Sequence, residues 1–246
     1  MTNAASADPE TIDGSAGRVL LFDDISKNGI DTAFEQQAAA EGFRFIAGLD
    51  EVGRGCLAGP VVAAACILDL SRPLPDGLND SKKLSPARRE KIAAELRETA
   101  AAWAVGEASA EEIDQINILE ATKLAMRRAL EKLSPQADYL LIDALHLKGI
   151  GIAQKAIIKG DSISASIAAA SIIAKTFRDE LMTAHDIEFP QYGFAGHKGY
   201  GSAAHLAALR EYGHCKLHRT SFRGVVPEAE TSIAPPDASG VVRSSD

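Results

Sequence analysis

Residues 46–68 read IAGLDEVGRGCLAGPVVAAACIL and place two acidic residues and an arginine between two apolar runs. The run before the acidic pair Asp50-Glu51 and the run after Pro60 are both apolar enough for buried strands. The intervening Gly-Arg-Gly must turn the chain sharply, so that the second strand runs back beside the first. Since uncompensated burial of a carboxylate is very costly, this meeting of charge and tight backbone predicts a functional site.

A structural interpretation of the same residues stays open, because Asp50 and Glu51 could simply end a strand before an ordinary turn. The glycines on either side of Arg54 favour function. Gly53 and Gly55 permit positive φ and let a ligand approach backbone N–H groups closely.

The 246 residues, 46% of them hydrophobic, are enough for one domain with tails. Composition predicts a disordered N-terminal tail over residues 1–17 and a disordered C-terminal tail over residues 225–246. Between them we expect an extension of unassigned role at residues 18–33 and the functional domain at residues 34–224.

The net charge of −8 falls in the two ends of the chain. Residues 1–35 carry seven acidic and two basic residues, and residues 225–246 carry four acidic and one basic, so the remainder is neutral. Residues 145–224 hold ten Lys or Arg against six Asp or Glu. If four acids of the neutral part bind metal, a modest basic groove is left for nucleic acid.

The three cysteines are widely spaced and form no C-x-x-C pair, which predicts neither a disulfide framework nor a zinc site. The N-terminus has no signal segment, and the longest apolar stretch, residues 163–174, is too short and serine-rich to span a bilayer. We expect a soluble, cytoplasmic, monomeric protein with no membrane partner.

Apolar runs and capping residues predict an α/β fold, with a mixed β-sheet flanked by helices, because the early strands follow each other directly and the later ones alternate with helices. The predicted strands cover residues 43–49, 60–70, 103–107, 137–143 and 153–158. The predicted helices cover residues 32–41, 85–102, a short segment opened by a capping box at Ser109, 117–133, 162–184 and a segment that ends at Gly213.

Three apolar runs end in a carboxylate: the first at Asp50-Glu51, the second at Asp143, and the third at Asp161 just before a helix. If the first two strands are neighbours, the four carboxylates converge. Such a cluster needs a cation, and oxygen-only ligands favour magnesium or manganese over zinc. Two such ions in a carboxylate cage would suit phosphodiester hydrolysis. Turn chemistry for Asp143 and helix capping for Asp161 remain the structural alternatives.

Beyond this pattern, the chain resembles the type 2 ribonucleases H over residues 34–224. Five separated blocks carry the resemblance: residues 46–68, Lys159-Gly-Asp-Ser162, residues 168–175 (AAASIIAK), Arg178-Asp179 and His197-Lys-Gly-Tyr-Gly201. Two positions depart from the family pattern, since Cys56 stands where proline is frequent and Ser202 where threonine often follows Tyr-Gly. We expect both to alter local packing only.

The resemblance implies a ribonuclease H-like sheet with a C-terminal helical segment, and an endonuclease that hydrolyses the RNA strand of RNA/DNA hybrids. It implies cutting 5′ of single ribonucleotides in duplex DNA, to leave a 3′-hydroxyl and a 5′-phosphate, in replication and ribonucleotide excision repair. It also implies that Asp50, Glu51, Asp143 and Asp161 are the catalytic ligands of two Mn²⁺ or Mg²⁺ ions. Because successive strand residues point to opposite faces, we expect Asp50 and Glu51 to differ in role and assign Asp50 as the bridging ligand.

For the substrate, the resemblance implies that the backbone of residues 53–55 recognises a ribose 2′-hydroxyl while Tyr200 stacks on the adjacent deoxyribose. Tyr200 as a plain core aromatic is the alternative. Proximity in sequence places basic side chains near the phosphates, with a solvated face as their alternative: Arg54, Lys82, Lys83, Lys175 and Lys198. The small-residue helix around Ser171 would pack beneath the carboxylates, and Ser171 could also contact the substrate. The six histidines show no metal-ligand spacing, and His205 and His214 would merely flank the last helix.

Three rival functions stay open. A type 3 ribonuclease H is disfavoured by Arg54 between the glycines. A non-catalytic hybrid-binding module is disfavoured by the four carboxylates. A metal-dependent DNA exonuclease would give the Gly-Arg-Gly turn no purpose.

Overall fold

The computed structural model describes residues 30–226, whose five strands form one mixed sheet in the order β3-β2-β1-β4-β5. The strands are β1 (Ile46–Val52), β2 (Val61–Ile67), β3 (Ala102–Ala108), β4 (Tyr139–Asp143) and β5 (Ala153–Ile157). β1 pairs antiparallel with β2 and parallel with β4, and β4 pairs parallel with β5. The predicted mixed sheet and the reversal after residues 53–55 are therefore confirmed.

Six α-helices surround the described sheet: α1 (Ala33–Ala40), α2 (Pro86–Thr99), α3 (Ala110–Lys132), α4 (Ala165–Glu188), α5 (Phe194–His197) and α6 (Ala203–Tyr212). The predicted caps are confirmed at Ser85, which accepts from the N–H of Arg88, and at Ser109, which forms a full capping box with Glu112. At Asn117 the backbone leaves the helical region with φ 67°, so α3 consists of two segments, as the cap at this residue predicts.

Several predicted boundaries were wrong. β1 continues through Val52, so the acidic pair lies within the strand, because β2 pairs with it up to that residue. The helix predicted to reach Ala102 ends at Thr99, since residue 102 already pairs with β2. The helix predicted from Ser162 starts at Ala165, after a 3₁₀ turn at Gly160–Ser162.

The core has one layer on each face of the sheet. α3 packs on one face through side chains such as Ile113 and Met126, and α2 and α4 pack on the other through side chains such as Ile92 and Ile172. α4 approaches β1 closely at Gly48, where an added Cβ would lie 2.1 Å from the carbonyl carbon of Ser166. This contact sets α4 against the β1 face that carries Asp50, two residues along the strand.

The predicted tails and most of the 18–33 extension lie outside the described residues. Near the start of the described part, Asp31 bridges to Ser164, and Glu35 of α1 accepts from the N–H and hydroxyl of Ser166. Within residues 30–226, no helix is long and apolar enough to cross a membrane.

Candidate active site

Four carboxylates lie at the ends of β1 and β4 and in the 3₁₀ turn, and we call them the carboxylate edge: Asp50, Glu51, Asp143 and Asp161. Leu49 of β1 pairs in parallel with Ile142 of β4, so the next residues, Asp50 and Asp143, are side by side. Asp143 accepts a hydrogen bond from the N–H of Gly160 at 2.8 Å, which brings Asp161 to the same edge. The four carboxylates therefore lie at one edge of the sheet, as expected from the apolar runs that precede them.

The electrostatics of the carboxylate edge are those of crowded, buried acids. Burial raises the pKa of Asp50 well above its usual value, and the charges of Glu51 and Asp143 raise it further. Burial also raises the pKa of Glu51 and the pKa of Asp143, and for Asp143 the charge of Asp161 adds to the effect. The charged forms of Asp50, Glu51 and Asp143 are therefore disfavoured, so a cation placed among these carboxylates would be strongly stabilised.

Two basic side chains reach this edge. Arg54 Nη1 lies 3.2 Å from Glu51 Oε1, and Lys82 Nζ lies 3.1 Å from Asp161 Oδ2. The Lys82 side chain is 79% exposed, so this ion pair is weakly held. The other oxygen of Glu51, Oε2, is buried and has no hydrogen-bond partner.

The side chains of the carboxylate edge are suited to bind a divalent cation. Within residues 30–226, no group of three or more His, Cys, Asp or Glu side chains is already arranged around a metal position. Arg54 and Lys82 each pair with one carboxylate oxygen of the edge. The atoms of the carboxylate edge that could coordinate a metal are nevertheless all oxygens, the ligands that Mg²⁺ and Mn²⁺ prefer. The orphaned Glu51 Oε2 is a buried acceptor that a cation would satisfy.

The Gly-Arg-Gly sequence forms a tight turn directly after β1. Gly53 has φ +92°, and its carbonyl accepts from the N–H of Cys56 at 3.3 Å. An added Cβ at Gly53 would lie 2.2 Å from Arg178 Nε, whereas at Gly55 nothing lies within 4 Å. Gly53 is therefore required by the backbone, while Gly55 leaves open space beside the carboxylate edge.

A second loop, residues 197–201, lies against this turn. The carbonyl of Gly199 accepts from the N–H groups of Leu57 and Ala58, at 2.8 and 3.3 Å. The loop thereby holds Tyr200 next to the turn, where the residue is 44% exposed. This exposure contradicts the core-aromatic alternative and leaves the ring available to a substrate.

The other predicted substrate-binding residues take different positions. Ser171 is buried, contacts Ser81 Oγ at 3.0 Å and hydrogen-bonds Asp50, so it lies directly behind the carboxylate edge. Lys175 pairs with Asp179 at 2.6 Å, and Lys198 donates to Thr183 at 2.6 Å. Lys83 is exposed.

A buried basic cluster lies beneath the two loops, and the sequence did not reveal its role: Arg178, His205, His218 and Arg219. In the sequence, Arg178 stands out only as part of the Arg178-Asp179 block of the family resemblance. Arg178 and Arg219 are both fully buried and donate to backbone carbonyls. No sequence signal marks Arg219, because its acceptors lie about 160 residues away along the chain.

The two histidines of the cluster form a tandem. His205 Nε2 lies 3.0 Å from His218 Nε2, and His205 Nδ1 lies 2.9 Å from the carbonyl of Tyr200. The prediction that His205 merely flanks a helix was wrong, since His205 is buried within α6 and stacks on His197. Because the Cys215 N–H donates to His218 Nδ1, the chain of hydrogen bonds runs from Cys215 to Tyr200.

Comparisons with known families, proteins and structures all point to the same family. The family model for Ribonuclease HII matches residues 47–225. The chain is 57% identical to the ribonuclease HII of Syntrophotalea carbinolica over 192 residues, which are 78% of this chain and 91% of that protein. It is 58% identical to the ribonuclease HII of Chlamydia caviae over 192 residues, 78% of this chain and 90% of that one. The crystal structure of the ribonuclease H2 from Pyrococcus horikoshii superposes with a TM-score of 0.61 at 27% identity, over 74% of this chain and 95% of that chain.

Proposed function

The chain belongs to the ribonuclease HII family, and we propose that this endonuclease hydrolyses the RNA strand of RNA/DNA hybrids and cuts 5′ of single ribonucleotides in duplex DNA. The single observation that carries the proposal is the adjacency of the carboxylate edge to an open turn and an exposed tyrosine. A cut beside a ribonucleotide requires phosphodiester chemistry and sugar recognition within one nucleotide of each other.

We assign the binding of two divalent ions, Mg²⁺ or Mn²⁺, to Asp50, Glu51, Asp143 and Asp161. Such ions supply activation of water on one side of the phosphate and stabilisation of the leaving oxygen on the other. The protein holds the ligands in place: the Gly160 N–H orients Asp143, and Ser171 orients Asp50. Lys82 neutralises Asp161 before an ion binds and is then free to approach a phosphate.

Recognition of the sugar falls to the two loops. Gly55 is exposed and has no side chain, so its backbone N–H is open to contact with a ribose 2′-hydroxyl. Tyr200 offers an exposed ring to the neighbouring sugar, where a flat ring packs on deoxyribose and is crowded by a 2′-hydroxyl. Arg54, Lys83, Lys175 and Lys198 supply positive charge along the path of the backbone phosphates.

The catalytic unit we propose is residues 34–224, acting as a monomer in the cytoplasm on RNA/DNA hybrid and ribonucleotide-containing DNA. Its products carry a 3′-hydroxyl and a 5′-phosphate. Removal of RNA primers and excision of misplaced ribonucleotides both fit this chemistry.

The test is cleavage of end-labelled duplex DNA that contains one internal ribonucleotide, beside an all-DNA duplex and a long RNA/DNA hybrid. Each is incubated with Mg²⁺ or Mn²⁺, and with EDTA as the control. We expect one metal-dependent cut 5′ of the ribonucleotide, cleavage of the hybrid, and no cleavage of all-DNA. Asp143→Asn is the matched variant, which should bind hybrid and lose most of its turnover.

The outcomes separate the rival functions. Cleavage of long hybrid without a cut at the single ribonucleotide would indicate type 3 specificity. Inertness on every substrate would leave a binding module, and a requirement for a free DNA end would indicate an exonuclease.

A further inference from the structure

Arg219 lies wholly inside the protein beneath the Gly-Arg-Gly turn, and all of its side-chain hydrogen bonds go to backbone carbonyls. Nη2 donates to Gly53 O at 2.7 Å, and Nη1 donates to Arg54 O at 2.9 Å. Nε and Nη2 also donate to Gly59 O, at 3.0 and 2.9 Å. One guanidinium therefore holds two successive peptide groups of the turn.

The planarity of the peptide bond gives this contact a consequence on the opposite side of the turn. In a trans peptide the C=O and N–H groups point in opposite directions. Because the Gly53 carbonyl points inward to Arg219, the Arg54 N–H points outward, and the inward Arg54 carbonyl likewise turns out the Gly55 N–H. Arg54 and Gly55 are exposed, and no described residue accepts a hydrogen bond from either N–H.

The chemistry of arginine suits this task. Burial lowers the pKa of Arg219 to about 10, so the guanidinium stays charged at neutral pH. The planar guanidinium of Arg219 fixes the directions from which carbonyl groups accept its hydrogen bonds, whereas the ammonium group of a lysine does not. The buried charge of Arg219 is compensated by backbone carbonyl dipoles and not by a carboxylate. The guanidinium therefore holds those carbonyls in a fixed orientation.

The segment that carries Arg219 is itself anchored. Asp114 of α3 accepts from the N–H and hydroxyl of Thr220, both at 2.8 Å, and from the N–H of Ser221 at 3.0 Å. The ring of Phe222 lies 5.1 Å from the guanidinium carbon. The segment of Arg219 is thus anchored to α3 independently of the turn.

We propose that Arg219 is a positioning residue for ribose recognition, which orients the Arg54 and Gly55 N–H groups toward the 2′-oxygen of the substrate. The proposal rests on the proposed function, because it assigns a role within the sugar-recognition step. Arg219 acts through the turn and contacts no substrate atom.

The test measures binding of two short duplexes that differ only in one sugar, ribose or deoxyribose, to the Asp143→Asn protein. The readout is the Kd of the deoxyribose duplex divided by the Kd of the ribose duplex. This ratio is measured with and without the further change Arg219→Lys. We expect Arg219→Lys to lower this ratio roughly three- to tenfold, since one or two hydrogen bonds to the 2′-oxygen are misdirected. A general loss of stability would weaken both duplexes alike, and Ile46→Val, in a separate core cluster at the start of β1, should keep the ratio.

Asp114→Ala gives a second variant that leaves the buried arginine in place and releases its anchor, so the ratio should fall in the same direction by less. Circular dichroism checks that each variant is folded. An unchanged ratio in Arg219→Lys and Asp114→Ala would overturn this inference alone. Equal binding of both duplexes by the Asp143→Asn reference would overturn the proposed sugar recognition first.

Discussion

The carboxylate edge and the buried basic cluster are both made of buried polar side chains, but they differ in how well those side chains are satisfied. Arg178 donates to three carbonyls at 2.8–3.1 Å, and both ring nitrogens of His205 and of His218 have partners. At the carboxylate edge, by contrast, an oxygen of Glu51 is buried without a partner. Of these two regions, only the carboxylate edge leaves a buried side-chain oxygen without a partner, and that oxygen is an acceptor that a cation would satisfy.

The largest expected effect comes from removing one charge of the edge. Asp50→Asn should lower kcat at least about a thousandfold, because several kcal/mol of charge stabilisation at the reacting phosphate are lost. In EDTA the same change should raise the free energy of unfolding by about 1–2 kcal/mol, since it removes a buried and repelled charge. Steady-state cleavage and urea unfolding measure the two effects. A destabilised Asp50→Asn protein in EDTA would break the comparison.

The opposite result is expected in the buried basic cluster. Arg178→Met should lower the free energy of unfolding by about 3–5 kcal/mol, because three buried carbonyls lose their donor and this loss outweighs the relief of charge repulsion with Arg219. Chemical denaturation measures this, with Arg72→Met as the exposed control. A neutral Arg178→Met protein would show that the cluster is not architectural.

A smaller, pH-dependent effect is expected at His218. Burial, followed by the charge of His205, lowers the pKa of His218 to about 4 in the folded protein, against about 6.5 for an unperturbed histidine. The unfolded state therefore binds more protons in this range, and stability should fall by roughly 2 kcal/mol as the pH drops from about 6.5 to about 4.

His218→Asn should flatten that dependence when unfolding is followed across the same pH range. His146→Asn, at an exposed histidine, is the matched control for the substitution itself. An equally steep loss of stability in the His218→Asn protein would show that other groups cause it.

The smallest effect on stability is expected at Gly55. Gly55→Ala should change the free energy of unfolding by less than about 0.5 kcal/mol, because the added methyl group meets open space. Gly53→Ala should cost about 1–3 kcal/mol, because of the φ of +92° and the contact with Arg178. Thermal unfolding compares the two. If Gly55→Ala weakens cleavage at a single ribonucleotide without a loss of Tm, the turn acts on substrate and not on folding.

The difference between the two regions also explains what the sequence could predict. The carboxylate edge follows from local rules, because the apolar runs of β1 and β4 lead into Asp50 and Asp143, and a third apolar run leads through a short turn to Asp161. Parallel pairing of β1 with β4 then brings them together. The strand and helix pattern was likewise predictable, apart from boundaries such as Ala102, where pairing with β2 overrides a helical pattern.

The buried basic cluster could not be predicted in this way. Arg219 and His218 acquire their partners only when residues near the C-terminus pack beneath the loops that follow β1, and no periodicity marks such a contact. The contact of Lys82 with Asp161 was missed for the same reason, since the two residues are 79 positions apart. Sequence patterns reveal the groups placed by a strand end but not those placed by tertiary packing.

The most direct test of the central claim is the thermal stability of the wild-type and Asp50→Asn proteins, each measured in EDTA and in saturating Mn²⁺. A ligand that binds only the folded state at 100 times its Kd adds about 2.7 kcal/mol to stability. We predict that Asp50→Asn is the more stable protein in EDTA and that wild type becomes the more stable one in Mn²⁺. The same ranking in both conditions, with no rise in the Tm of wild type on adding Mn²⁺, would contradict the assignment of the carboxylate edge as a metal centre.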